Sequence, residues 1–108
     1  MAVNHNGRVL ATLRDLGYVC QVVERWDAYT RRRYDLFGII DVLAIGNGLT
    51  LAVQVTSRGN MSSRRRKIQA APELPHMLGA GWRIELWGYD QPGGPRTAWR
   101  LKKENMDI

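Results

Sequence analysis

The apolar and polar positions along the chain fall into segments of two periods. From about Asn4 to Leu16, Val9, Leu10, Leu13 and Leu16 recur at helical spacing. Arg8, Thr12 and Asp15 fall largely on the other side, and Gly17 stands where a helix would stop. YVCQVVERW, Tyr18 to Trp26, is β-branched and aromatic and predicts a strand. DAYTRRRYD, Asp27 to Asp35, is polar and strongly basic and reads as a solvent-facing loop. Two strands follow, about Leu36 to Ile45 and Leu49 to Ser57. Arg58 to Met61 is a short loop, after which Ser62 or Ser63 can cap a helix through RRRKIQAA. Pro72 and Pro75 interrupt it, and a second helical turn around Glu73 to Leu78 precedes the Gly79-Ala80-Gly81 break. WRIELWGY, Trp82 to Tyr89, alternates as a strand, DQPGGP is a turn, and TAWRLKK, Thr97 to Lys103, is a last strand before an end expected to fray. The order is helix, three strands, helix, two strands. It predicts an α/β fold, one mixed sheet with helices packed on it.

Two polar residues break the most apolar part of this pattern. The stretch GIIDVLAIGNGLTLAVQVTSRG carries Asp41 in its first half and Gln54 in its second. A buried carboxylate is costly unless it is paired, hydrogen-bonded or bound to a metal. Asn47-Gly48 lies between the two strands and is a strong hairpin signal, because both central positions of a type I′ turn need positive φ. With those two residues as the loop, Gly46 pairs with Leu49, Ile45 with Thr50, Leu43 with Ala52 and Asp41 with Gln54. Opposed residues point to one face, and Thr56, two residues beyond Gln54, joins them there. A three-residue loop would slip the pairing by one and separate Asp41 from Gln54. An ordinary Asp–Gln hydrogen bond would account for two polar residues, but not for their place in central strands.

Charge adds a second feature. The chain has 108 residues and a net charge of +6, which in one domain spanning residues 1–108 points to a polyanionic partner. Arg31, Arg32 and Arg33 precede the first strand of the hairpin; Arg58, Arg64, Arg65, Arg66 and Lys67 follow the second. Both groups meet at the open end of the hairpin, which makes a phosphate-binding surface beside the polar cluster. No apolar run is long enough to cross a bilayer, and MAVNHNGRVLATL lacks the apolar stretch and cleavage site of a secretory signal. Cys20 is the single cysteine, so neither an intramolecular disulfide nor a zinc-ligand spacing exists; it reads as a small core residue of a protein in reducing cytoplasm, the host's if the chain is viral. His5 and His76 read as surface residues and Trp82, Trp87 and Trp99 as core. Tyr29 and Tyr34 flank the arginine run and are candidates to stack on nucleic acid.

From about Arg8 to Leu101 the sequence resembles the PD-(D/E)XK nuclease superfamily, and within it the small archaeal-type Holliday junction resolvases. IIDVLAI supplies the aspartate of the motif as Asp41, and LAVQVTS falls where Glu-X-Lys is expected. The resemblance implies a restriction-endonuclease-like core and a metal-dependent endonuclease acting on DNA, branched or junction DNA in particular, as a homodimer. It implies Mg²⁺, with Mn²⁺ as a substitute, held by Asp41, Gln54 and the carbonyl of Val55. It makes Asp41, Gln54 and Thr56 the catalytic positions.

The chain departs from the family pattern at three places. Gln54 stands for Glu, Thr56 for Lys, and Asn6 is the local match to a glutamate on the first helix. One carboxylate holds Mg²⁺ weakly, so Asp35, which opens the same strand, is the first candidate for a further ligand, ahead of Glu24 and Asp27. Lys67, on the following helix, is the candidate to replace the missing lysine; Arg58 brings charge but not proton transfer, and Thr56 only a hydroxyl. Two readings follow: an enzyme with rearranged residues, or a catalytically inactive nucleic-acid-binding module that keeps the fold. A small basic protein with RNA or an acidic protein as partner is a third.

Overall fold

A computed structural model describes residues 4–107. Along the chain run α1 (Asn6–Asp15), β1 (Val19–Val22), β2 (Arg25–Asp27), β3 (Arg32–Tyr34), β4 (Val42–Gly46) and β5 (Leu49–Ser57). A 3₁₀ turn (Arg58–Asn60) then leads into α2 (Met61–Ala70), α3 (Leu74–Gly79), β6 (Arg83–Asp90) and β7 (Arg100–Asn105). Five strands form one mixed sheet in the order β1-β4-β5-β6-β7, and β2 and β3 form a separate hairpin. Within the sheet β5 and β6 are parallel and the other neighbours antiparallel. A parallel pair needs a long crossover, and α2 and α3 provide it.

Each face of the sheet has its own core. Val9 and Leu13, one helical turn apart on α1, pack with Val42, Ala44, Leu51, Val53, Val55 and Trp87 on one face. Ile68, Leu74 and Met77 of the crossover helices pack with Ile39, Ile40, Ala52, Ile84 and Leu86 on the other. Burying β5 on both faces explains the apolar run of Leu51, Ala52 and Val53 at its centre.

The β4–β5 hairpin has the expected register. Gly46 pairs with Leu49, Ile45 with Thr50 and Leu43 with Ala52. Asn47 and Gly48 form the turn with φ of 51° and 77°, both positive as a type I′ turn requires.

Other boundaries differ from the sequence-based expectation, each for a physical reason. The basic segment expected as a loop is the β2–β3 hairpin, in which Asp27 Oδ1 accepts the N–H of Tyr29 at 2.9 Å and of Thr30 at 3.4 Å. This hairpin carries mostly exposed side chains and so leaves no hydrophobic alternation in the sequence. The strand expected from Tyr18 to Trp26 is broken at Val23, whose N–H goes to the carbonyl of Asp41. Leu36 to Asp41, expected as strand, is a tight turn with Phe37 and Gly38 at positive φ, tied by a Leu36–Ile40 bridge. Its apolar residues Ile39 and Ile40 are buried, and a short apolar run does not distinguish such a turn from a strand. Asn60, not Ser62 or Ser63, precedes the first turn of α2, and Ser63 Oγ donates to the Asn60 carbonyl instead.

The last strand runs later than expected, and the expected fraying does not occur up to Asp107: Met106 is buried and its N–H donates to the Ile84 carbonyl. Cys20 is half-buried rather than a core residue. Among the described residues no helix is long and apolar enough to cross a membrane.

Candidate functional site

The open end of the hairpin borders a cleft of about 950 Å³. Its floor is Asp41, Gln54, Val55 and Thr56; the start of α1, the end of β3 and the exposed side of α2 rise around it. The site thus lies where β5 and β6 end, the place where open α/β sheets leave a crevice.

Asp41, Gln54 and Thr56 are all buried. Gln54 Nε2 donates to Asp41 Oδ2 at 2.5 Å, and the Val55 N–H donates to the same oxygen at 2.8 Å. Val55, whose carbonyl the resemblance makes a metal ligand, also reaches Asp41 through its N–H. Gln54 is 1% exposed and its Oε1 has no hydrogen-bond partner. An unpartnered buried carbonyl oxygen costs free energy, and here it belongs to an amide that already touches the Asp41 carboxylate.

Two further carboxylates meet Asp41. Oxygens of Glu24, Asp35 and Asp41 lie within 4.8 Å of one another, and such a group could hold a metal ion. Glu24 comes from the break between β1 and β2, and Asp35 from the turn that follows β3. Burial pushes the Asp41 carboxyl up to about 8; the Val55 N–H opposes the shift, and the neighbouring carboxyls of Asp35 and Glu24 add to it. A divalent cation would balance the charge of three carboxylates set so close together. Carboxylate and amide oxygens are the hard donors that suit Mg²⁺ and Mn²⁺, and Gln54 Oε1 is a free neutral one. The residues present fit such an ion.

The surroundings orient these ligands. Asn6 Nδ2 donates to Glu24 Oε1 at 2.9 Å, and Arg33 Nη1 reaches the same oxygen at 3.1 Å. Asn6 thus occupies the site as a donor that holds Glu24. Lys67 Nζ lies 3.8 Å from Asp35 Oδ2 and lines the cleft, so the lysine from α2 and the aspartate beside the first arginine run come together.

The remaining candidates divide. Arg33 and Arg64 line the cleft with Lys67. Among the described residues Arg31, Arg32, Arg64 and Arg66 form no ion pair. Arg58 lies 3.8 Å from Asp90, and Arg65 grips Glu104 through two hydrogen bonds of 2.6 and 2.5 Å. Asp27 is placed in the β2–β3 hairpin beside Arg25, apart from the carboxylate group.

Sequence reasoning ranked Glu24 low and missed His5, Asn60 and Trp99, all of which line the cleft. Asn60, Arg64 and Lys67 stand at helical spacing, a signal that could have placed them on one side of α2. His5 is buried, contrary to the surface position expected of it, and Trp99 is half-buried at the cleft rather than in the core. Comparison with family models, curated proteins and solved structures finds no match.

Proposed function

We propose that the protein is a metal-dependent endonuclease acting on DNA, branched or junction DNA in particular, with a restriction-endonuclease-like core of the PD-(D/E)XK type that its sequence resembles. The observation that carries this reading is the meeting of Glu24, Asp35 and Asp41, with the Gln54 amide on Asp41 and Lys67 beside Asp35. The hairpin β4–β5, followed by α2 and the parallel strand β6, supports the resemblance.

Glu24, Asp35, Asp41 and Gln54 would hold Mg²⁺, or Mn²⁺ in its place. When bound, the ion supplies an activated water and neutralises charge developing on the scissile phosphate. Gln54 Nε2 and the Val55 N–H fix the orientation of Asp41, and Asn6 and Arg33 fix Glu24. Lys67 takes the part of the lysine that Thr56 replaces, stabilising charge in the transition state. Arg31, Arg32, Arg64 and Arg66, which form no ion pair among the described residues, would offer positive charge for flanking phosphates. Two symmetric cuts in a junction call for two copies, so a homodimer belongs to the proposal; sedimentation of the free protein tests it.

Incubation with four-way junction, flap and linear DNA in Mg²⁺ or Mn²⁺ tests the reading. The wild type cuts and Asp41→Ala does not. Tight binding with no cleavage by the wild type would instead favour an inactive nucleic-acid-binding module, the reading that Gln54 and Thr56 recommend. Binding should weaken steeply with salt: about six phosphate contacts give a log–log slope near −5. A flat salt response excludes a nucleic-acid partner altogether.

A further inference from the structure

The cleft is chemically two-sided. Tyr89 belongs to the core that α1 covers, whereas α2 packs on the opposite face of the sheet, so the walls that α1 and α2 raise around the carboxylates come from opposite faces. On the α2 side stand Arg64 and Lys67, whereas Arg33 of β3 bonds the Glu24 oxygen that Asn6 of α1 also holds. On the α1 side the lining residues Asn4, His5, Asn6, Tyr89 and Trp99 are amides and rings, and Glu24, which Asn6 holds, marks where this wall meets the carboxylates.

The rings form one contiguous group. His5 stacks on Tyr89 with centroids 5.0 Å apart and planes at 18°, and meets Trp99 at 4.8 Å with planes at 76°. Arg8 lies over the Trp99 ring at 4.2 Å and reaches His5 Nδ1 at 3.3 Å. A guanidinium only donates, so Nδ1 accepts and the imidazole proton sits on Nε2. Burial, and then the Arg8 charge, lower the pKa of His5, which favours the neutral imidazole. Nothing in the proposed hydrolysis uses these residues.

We infer that the cleft takes an unpaired DNA strand, with its phosphates along the Arg64 side, the scissile one beside Lys67, and a base against the Trp99–His5 wall, so that the substrate carries a single-stranded segment next to the scissile phosphate. This rests on the nuclease reading for the role of the carboxylates between the walls. A single strand exposes phosphates on one side and base faces on the other, the division the cleft presents; stacking on aromatic rings is how such strands are held without regard to sequence. A duplex stacks its bases on one another and would leave the aromatic wall unused.

The test is made on Asp41→Asn protein without metal, so that binding is read apart from cleavage. The probes are a labelled single-stranded oligo-dT, a blunt duplex of the same length, and oligo-U. Oligo-dT binds more tightly than the duplex and quenches tryptophan emission, and the quench disappears in Trp99→Phe. Trp99→Ala weakens oligo-dT binding about 5- to 150-fold, the loss of one stacked base, and leaves duplex binding unchanged. Trp99→Phe, which keeps a ring in place, loses less and controls for misfolding.

Equal binding of duplex and single strand, or a quench that survives in Trp99→Phe, overturns the inference. Tighter binding of oligo-U than of oligo-dT overturns its assignment to DNA. Metal-dependent cutting of blunt duplex with no ring effect would sink the inference and leave the nuclease reading standing. Absence of cleavage with the quench intact would do the reverse.

Discussion

Gln54 Nε2 lies 2.5 Å from Asp41 Oδ2, a contact made possible by the Asn47-Gly48 turn at the far end of the same hairpin. Because side chains alternate along a strand, the turn decides that these two residues share a face. The amide does not neutralise the carboxylate. It leaves Asp41 buried beside Asp35 and Glu24, with its pKa raised to about 8.

That shift sets a pH dependence of stability. In the unfolded chain Asp41 ionises near pH 4, and in the metal-free fold near pH 8. Between those values the folded state binds the extra proton, so this group's contribution to stability is fully present at low pH and is lost as pH rises through the window. The slope is at most about 1.4 kcal/mol per pH unit. The midpoint of thermal unfolding without metal should therefore fall from pH 5 to pH 8 in the wild type and fall less in Asp41→Asn. Equal slopes in the two proteins would show that Asp41 is not the group involved.

Metal should reverse the sign. An ion that binds only the folded, deprotonated site stabilises it by mass action, and more so where less proton must be displaced. Mn²⁺ or Mg²⁺ should raise the unfolding midpoint of the wild type more at pH 8 than at pH 5.5. Asp41→Asn should show no metal-dependent rise. A rise of the same size at both pH values would place the ion away from Asp41.

Asn6 should matter through Glu24. It is buried and donates to Glu24 Oε1 at 2.9 Å, so its removal frees a ligand to rotate without changing the ligand count. Loss of such a supporting contact usually costs 10- to 100-fold in metal affinity. Calorimetric titration of Asn6→Ala with Mn²⁺ should show a loss of about that size with unchanged stoichiometry. Unchanged affinity would remove Glu24 from the ligand set.

How far the site was legible in the sequence depended on which interactions were local. The Asn-Gly turn fixes a register by counting, so Asp41, Gln54 and Thr56 could be placed on one face from residue order alone. Asp35 and Lys67 were legible as candidates but not as neighbours, because their 3.8 Å contact joins the end of β3 to α2 past the whole β4–β5 hairpin. Glu24 depends on another non-local link, the Val23 N–H bonded to the Asp41 carbonyl. The β2–β3 hairpin was hidden for another reason: its strands carry mostly exposed side chains, and hydrophobic periodicity reports only segments with one buried side.

Lys67 should be needed for cleavage and not for folding. Its side chain is 45% exposed and its partner Asp35 lies 3.8 Å away, so Lys67→Ala should change stability by no more than about 0.5 kcal/mol. If it stabilises the transition state, cleavage should fall about 100-fold or more while binding of the DNA changes little. Single-turnover rates at saturating protein separate the two effects. A large loss of binding with an unchanged single-turnover rate would make Lys67 a phosphate contact instead.

Two arginines one residue apart on α2 should behave differently. Arg65 is committed to Glu104 of β7 through a bidentate pair, which lowers the Glu104 pKa and raises that of Arg65. Arg64 lines the cleft and, among the described residues, forms no ion pair. A guanidinium held by a carboxylate releases no counterion when DNA binds, whereas a free one does. Arg64→Ala should therefore lower the magnitude of the salt slope of DNA binding by about 1, and Arg65→Ala should leave the slope unchanged while lowering the midpoint of thermal unfolding. The two readouts are measured on the same proteins, so a misfolded variant is visible at once. Equal loss of slope in both variants would mean that DNA draws Arg65 away from Glu104 and that the phosphate path extends over β7.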